Sequence, residues 1–226
     1  MNAWNSIAVS APALIAGAGA TLAVVIAAVG GGLILGIPVG VAHGHGHRLL
    51  RILLSIFDRI FRGFPVIVLL FLFYFGLGGL PGVHMPPFAA AVLVLGLRSA
   101  AYQGQIFRGA LGMVEPGQEE AARALGLSRG QALLWILLPQ ALRFSMPGLA
   151  NEYAVVLKDS ALAFVVGVVE LMSVGRFMAT RTGDPLTAYL AVAALYWILT
   201  SGGVAALRVV ERHMRIPGLG VRRVTR

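Results

Sequence analysis

The sequence contains no cysteine and has few charged residues. Of 226 residues, 12% are charged and 58% are hydrophobic. The absence of thiols excludes a disulfide framework, a thiolate metal site and a cysteine nucleophile. Because a soluble domain carries roughly a quarter charged residues, this chain has too little polar surface for one. We therefore expect it to lie in a lipid bilayer.

Motifs for nucleotide binding and hydrolysis are also missing. A phosphate-binding loop needs a glycine-rich turn followed by Lys and Ser or Thr, whereas the only lysine, Lys158, follows Val155-Val156-Leu157. No HExxH motif, nucleophile elbow or acid/base pair of carboxylates occurs in the sequence. We predict that the chain is not an enzyme and holds no cofactor of its own, so that any ATP would be hydrolysed by another chain.

Three histidines, His43, His45 and His47, alternate with glycine after the first apolar run. Imidazole is a common metal ligand, but no acidic residue lies nearby in sequence. The glycines predict a flexible loop. We expect a solvated loop that titrates near neutral pH, and no metal site.

Apolar runs bounded by charges or by Gly/Pro clusters predict an all-α fold of five membrane-spanning helices, since one span needs roughly 20 apolar residues. The predicted spans are Ala18–Ala42, Phe61–Leu80, Phe88–Phe107, Met146–Leu171 and Leu186–Val209. The first apolar run begins near Ile7 and is too long for one helix, so we expect its start, at Ser10–Pro12, at the membrane surface. Two short spans turning at residues 30–32 are the alternative, and one span is favoured.

Arginines are concentrated in alternate connections and in the tail. Fourteen would share one side of the membrane: Arg48, Arg51, Arg59, Arg62, Arg108, Arg123, Arg129, Arg143, Arg208, Arg212, Arg215, Arg222, Arg223 and Arg226. Only Arg176 and Arg181 would lie opposite. Cytoplasmic loops are rich in Lys and Arg, so we predict an external N-terminus and a cytoplasmic C-terminus. The net charge of +9 then suits anionic headgroups, and we expect no nucleic-acid partner.

The cytoplasmic segment 109–143 is too polar to span and too patterned for a linker. Gln118–Leu125 has helical composition, with Glu119 and Glu120 at its start, where the helix dipole favours acids. Gly126 ends this helix, and Ser128 suits the N-cap of a second short helix running toward Pro139. The pattern predicts a docking device on the cytoplasmic face. An amphipathic loop lying on the headgroups is the alternative.

This loop resembles the EAA motif of the membrane subunits of bacterial and archaeal ABC importers. The matching residues are Glu120-Ala121-Ala122, then after three residues Gly126, then after nine residues Ile136-Leu137-Leu138-Pro139. Further segments resemble the polar-amino-acid uptake branch of that family: Arg62-Gly63-Phe64-Pro65, Ala101-Tyr102, Phe107-Arg108-Gly109, Pro116-Gly117-Gln118, Pro139–Arg143, Pro147, Asn151-Glu152, Lys158-Asp159 and Glu170-Leu171. The chain departs from the family at Gln105, where Glu is usual, and at Ser160-Ala161, where a Thr-Ser pair is usual.

The resemblance implies a type I importer permease, one transmembrane domain over residues 1–226, in the cell membrane of a prokaryote. It implies transport of a polar amino acid by alternating access. The implied partners are two cytoplasmic ATPase subunits that bind ATP and Mg, a second permease subunit, identical or different, and an extracytoplasmic solute-binding protein. The residues implied to couple to the ATPase are Glu119, Glu120, Ala121, Ala122, Gly126 and Pro139. Alternatives are a permease for another small solute, such as an opine or oligopeptide, and an uncoupled membrane scaffold or channel-like protein with a peripheral partner.

Charged residues inside the predicted spans point to a substrate site, because a bare charge there costs several kcal/mol. We predict that Glu152, helped by Asn151, accepts a substrate ammonium and that Lys158 or Arg98 binds its carboxylate. Asp159 shares a helix face with Glu152, seven residues earlier. The alternative is a structural ion pair, Lys158–Asp159 or Arg98–Glu152, that holds spans together or closes a gate.

Overall fold

The computed structural model describes residues 3–214, without the side chains of residues 3–5 and 45. The predictions for His45 and for Arg215, Arg222, Arg223 and Arg226 therefore lie outside the described residues. The described helices are α1 Ala3–His45, α2 Arg48–Gly63, α3 Val66–Phe71, α4 Pro87–Gly112, α5 Gly117–Ala124, α6 Arg129–Ala132, α7 Leu138–Asp159, α8 Leu171–Thr182 and α9 Pro185–Met214. Short π-helical segments, Leu72–Leu77 and Leu133–Leu137, extend α3 and join α6 to α7, and the 3-10 helix Ser160–Val166 extends α7. No strand occurs in residues 3–214, which confirms the all-α prediction.

Helix α1 is one continuous helix of 43 residues, so the expectation that the first apolar run is too long for a single helix is wrong. It packs closely along α4 through glycines spaced four residues apart. A Cβ on Gly36 would lie 2.8 Å from the Gln103 Cβ, and one on Gly40 would lie 2.7 Å from the Gly104 carbonyl oxygen. Small residues at one helix face thus let the two backbones approach each other.

Helix α2 corrects the start of the second predicted span. Phe61 belongs to α2, and the chain bends by 106° between α2 and the α3 segment Val66–Leu77. The bend falls at Pro65, because the residue before a proline is driven out of the helical region. One side of α2 exposes a row of large apolar side chains: Leu49, Ile52, Leu53, Ile56 and Ile60. With its arginines, α2 has the pattern of a helix that lies in the membrane surface.

Two further boundaries differ from the sequence-based expectation. The second helix of the predicted cytoplasmic loop is not short, because α6 continues through α7 as one helical segment, Arg129–Val166, of 38 residues. The fourth predicted span also ends earlier than Leu171. Gly167 adopts a left-handed φ of +94° and stops the helix. The helix α8 that follows, of 12 residues, was not predicted.

Three described helical segments are long and apolar enough to cross a membrane, or four if the bent α2–α3 pair counts as one span. Helix α4 is not among them, although its 26 residues are about 39 Å long. Many of its residues are buried, including polar residues such as Ser99 and Gln103. Such a helix tolerates polar groups because the protein satisfies them. The count of five spans stays a prediction.

Candidate substrate and coupling sites

Arg98 of α4 and Asp159 of α7 form an ion pair between two helices. The Arg98 Nη1 donates to the Asp159 Oδ2 at 2.6 Å, and the two side chains are 14% and 24% exposed. Neither ion pair that the sequence offered as the structural alternative is found. Because each charge neutralises the other inside a predicted span, the pair lowers the cost of both in the membrane.

An aromatic ring extends this pair toward the bend at Pro65. The guanidinium groups of Arg62 and Arg98 each lie 4.9 Å from the ring centroid of Tyr102. A cation over an aromatic face is attracted by the ring quadrupole. Tyr102 therefore holds two arginines close together, although only one of them has a carboxylate partner.

Glu152 lies beside this cluster in the same helix contact. It is 3% exposed, next to Ser99 and within electrostatic reach of Arg98, Asp159 and Arg62. Among the described residues, its Oε1 has no hydrogen-bond donor. A buried carboxylate oxygen without a donor is costly, so this atom is an open acceptor for a positively charged group.

The structure separates the predicted substrate residues into two groups. Glu152, Asp159 and Arg98 come together where α7 meets α4. Asn151 and Lys158 are exposed on the adjacent face of α7, seven residues apart and thus aligned along the helix. Within one subunit, the amide of Asn151 and the carboxylate of Glu152 do not form one binding surface.

The predicted coupling loop, residues 109–143 and called the coupling loop below, places its motif residues on a short helix at the end of α4. Glu119 and Glu120 lie in the first turn of α5, as expected for acids near a helix N-terminus. Glu120 and Ala121 are exposed, whereas Ala122 is buried. Beneath the loop, Ala110, Val114, Leu137 and Ala141 form a small apolar core. Helix α5 is thus held against the molecule by one face and presents the other.

A glycine and a capping box set the angle between α5 and α6. Gly126 has φ +87°, and a Cβ there would meet no atom within 4 Å, so the backbone conformation, not crowding, demands glycine. Ser128 accepts from the Gln131 N–H at 3.3 Å, and the Gln131 side chain accepts from the Ser128 N–H at 2.9 Å. The predicted glycine elbow and Ser128 N-cap are confirmed.

Pro139 follows a π-helical segment, Leu133–Leu137, at the start of α7. A proline has no N–H and its ring collides with the carbonyl four residues earlier. A π-turn relieves this collision while the helix continues. Trp135 in this turn is 74% exposed. Pro139 therefore shapes the segment that joins the coupling loop to the helix carrying Glu152.

A polar cluster joins α2 to the C-terminal parts of α1 and α4. His43 Nε2 lies 2.8 Å from the Asp58 Oδ2, and the Gln105 amide donates to the same oxygen. His43 is part of α1, so its predicted place in a flexible, solvated loop is wrong. His47 also has a fixed role, since its Nδ1 accepts the Leu50 N–H at the start of α2. In residues 3–214, no three potential metal-ligating side chains come together.

Sequence reasoning missed Tyr102, Ser99, Asp58 and Glu170 as parts of polar sites. Glu170 was predicted to lie inside a span, but it caps α8 and is fully buried. Its carboxylate accepts hydrogen bonds from the Tyr196 hydroxyl at 2.7 Å and from the Met172 N–H at 2.8 Å. A local signal existed only for Glu170, because the helix dipole favours an acid at a helix N-terminus. The others depend on contacts between distant parts of the chain.

Comparison with known proteins agrees with this architecture. The family of binding-protein-dependent transport system inner membrane components matches residues 32–216. The glutamine transport system permease protein GlnP of Escherichia coli K12 is 35% identical over 214 residues, 94% of this chain and 98% of the relative. The octopine transport system permease protein OccQ of Rhizobium meliloti is 38% identical, over 87% and 88% of the two chains.

Two solved structures share the fold. An amino acid ABC transporter crystallised with histidines matches with a TM-score of 0.83 and 32% identity, covering 92% of this chain and 97% of the other. The inward-facing methionine transporter MetNI matches with a TM-score of 0.79 and 25% identity, over 90% and 97%. The chain has the type I ABC permease fold and belongs to the family of binding-protein-dependent transport system inner membrane components.

Proposed function

We propose that the chain is the membrane permease subunit of an ATP-driven importer that moves a polar amino acid into the cytoplasm by alternating access. The observation that carries this proposal is the buried, donor-free Glu152 oxygen beside the Arg98–Asp159 pair. A zwitterion needs an acceptor for its ammonium group and a donor for its carboxylate, and these three side chains supply both. The relatives named for glutamine and other amino acids support the same substrate class.

Substrate binding exchanges partners within this cluster. The ammonium group bonds to Glu152, and the carboxylate replaces Asp159 on the Arg98 guanidinium. The exchange adds no unpaired charge in the membrane, because one carboxylate lacks an ion-pair partner in either state: Glu152 before the substrate binds and Asp159 afterwards. At 3% exposure, Glu152 is reached only when α4 and α7 move apart, as alternating access requires.

A second permease subunit covers the exposed face of α7. Lys158 and Asn151 are exposed there in the single subunit, although a lysine facing lipid is costly. At an interface between two permeases, both side chains line the path of the substrate and complete its coordination. We also propose that residues 1–226 form a single transmembrane domain in each subunit.

The proposed topology has five spans, with the α1 N-terminus outside and α2 and α5 on the cytoplasmic surface of a prokaryotic cell membrane. Two cytoplasmic ATPase subunits bind ATP and Mg and receive the exposed face of α5, with Glu119, Glu120 and Ala121. The buried Ala122 anchors α5 to the molecule, and Gly126 sets its angle to α6. Pro139 transmits their movement to α7. An extracytoplasmic solute-binding protein delivers the amino acid at the opposite end.

Glu152→Gln in the reconstituted transporter tests the proposal, because it keeps the side-chain size and deletes the charge. We expect normal assembly, at least a tenfold loss of amino-acid uptake, and loss of substrate-stimulated ATP hydrolysis. Asp184→Asn, a carboxylate-to-amide change at the start of α9, is the matched control and keeps uptake. Wild-type affinity of Glu152→Gln for every amino acid tested places the site elsewhere.

A structural role for Glu152 gives a different result in the same experiment. If Arg98, and not a substrate, needs the Glu152 charge, then Glu152→Gln lowers thermal stability and assembly, and adding Arg98→Met partly restores them. Substrate-dependent loss of uptake without loss of stability supports the proposed ammonium site.

An opine permease is the second candidate, favoured by the 38% identity to the octopine permease. An opine carries an additional carboxylate. Arg62, whose guanidinium lies over the Tyr102 ring, has no carboxylate partner among the described residues. Competition between labelled glutamine and octopine in uptake assays separates the two. If octopine is transported and Arg62→Gln affects only octopine, the opine assignment is correct.

A further inference from the structure

A groove lies between α1 and α8, at the far end of α1 from the coupling loop. It has a volume of about 390 Å³ and is lined by Val9 and Ala13 of α1, by Phe164 and Val168, and by Arg176 and Arg181 of α8. This volume is in the range of roughly 300–1,000 Å³ of small-molecule sites. The opposite end of α1, at Gly40 and Gly44, instead faces residues leading into α5.

The charges of the groove are unbalanced. In residues 3–214, neither Arg176 nor Arg181 forms an ion pair with a carboxylate. The Arg176 guanidinium lies 5.8 Å from the ring centroid of Phe164, which fixes it over the groove. Two arginines above apolar walls are complementary to a molecule with an anionic head and an apolar tail.

The surroundings of the groove are those of a membrane surface. Helix α8, with 12 residues, is about 18 Å long and too short to cross a hydrocarbon layer of about 30 Å. Phe177 and Val169 beside the arginines are 76% and 74% exposed. The flanking helices α1 and α9 are apolar enough to cross the membrane. Exposed aromatic and aliphatic groups next to arginines are typical of helices at the headgroup level.

We propose that this groove binds an anionic phospholipid, with the phosphate between Arg176 and Arg181 and the upper part of an acyl chain against Val9, Ala13 and Phe164. The lipid joins α8 to the start of α1. Free phosphate lacks the apolar part that the walls fit.

The test uses the complete transporter, extracted in detergent and examined by native mass spectrometry with added phosphatidylglycerol or phosphatidylcholine. We expect the wild type to retain phosphatidylglycerol preferentially and to gain thermal stability from it. Arg176→Gln/Arg181→Gln should weaken phosphatidylglycerol retention at least tenfold, whereas Arg176→Lys/Arg181→Lys should keep much of it. Arg208→Gln, which removes an exposed arginine from α9, is the matched control and should bind as the wild type does.

Three outcomes overturn the proposal. Equal phosphatidylglycerol retention by the wild type and the Gln double variant excludes these arginines as the site. Equal stabilisation by inorganic phosphate alone shows an anion site without lipid specificity. If the Gln double variant keeps its lipid but loses affinity for the purified solute-binding protein, the arginines belong to a protein docking surface.

Discussion

The coupling loop and the intramembrane charge cluster use polar groups in opposite ways. In the loop, the hydrogen bonds that set the geometry join residues three positions apart, as Ser128 and Gln131 do. In the cluster, Arg98 and Asp159 are 61 positions apart, and Tyr102 receives Arg62 from another helix. The loop is shaped by local backbone chemistry, whereas the cluster exists only after the helices have packed. Local changes should therefore alter coupling first, and changes in the cluster should alter packing and transport together.

Gly126→Pro should have the largest effect. Proline fixes φ near −65°, whereas Gly126 has φ +87°. The variant therefore cannot adopt the turn between α5 and α6, and we expect a local loss of stability of about 3 kcal/mol or more. We expect at least a tenfold loss of uptake and of permease-dependent ATP hydrolysis, with normal membrane insertion. Gly126→Asn is the matched control, because asparagine tolerates positive φ. Normal uptake in the proline variant would reduce the loop to a surface feature.

Arg98→Met tests the nonlocal side of the comparison. The variant leaves Asp159 charged without its 2.6 Å partner, and because the pair is only partly buried we expect a loss of about 2–3 kcal/mol in unfolding free energy. Adding Asp159→Asn should recover most of the stability, but not uptake. Arg208→Met, which removes an exposed arginine from α9, controls for the loss of a cation. Additive losses in the double variant would show that the two charges do not stabilise each other.

The same division explains what the sequence could predict. Gly126 and Ser128 were predictable because a left-handed turn and an N-cap depend on the residue itself and its near neighbours. The bend at Pro65 had a local signal as well, namely the proline itself. The predicted span nevertheless included the bend, because the residues on both sides of it are apolar. The Arg98–Asp159 partnership and the burial of Asp58 could not be predicted, because hydropathy does not specify which helices touch. The faces of membrane helices are similarly apolar. A charged residue in a span therefore indicates that it contacts another polar group, but the sequence does not identify that group.

Gln105→Glu should have a smaller effect that depends on pH. The Gln105 amide donates to the Asp58 carboxylate, which is 7% exposed. A glutamate there places a second negative charge beside Asp58, whose ion-pair partner among the described residues is His43. We expect about 1–2 kcal/mol loss of stability at pH 8 and partial recovery at pH 6, where one proton can be shared by the two carboxyl groups. Gln105→Met, which lacks the charge, should show no such recovery. A pH-independent loss in both variants would assign the effect to lost packing.

Ser128→Ala should have the smallest effect, and this effect should be confined to the start of α6. The Ser128 hydroxyl accepts the Gln131 N–H at 3.3 Å, and losing an N-cap costs about 1 kcal/mol. Because the apolar core under the loop is unchanged, we expect faster hydrogen exchange in α6 but not in α7, and at most a twofold fall in uptake. Ser128→Asp keeps an acceptor at the cap and should restore the exchange rates. If exchange instead rises along α7 as far as Glu152, the loop and the charge cluster are one cooperative unit, and the proposed division between local and nonlocal sites is wrong.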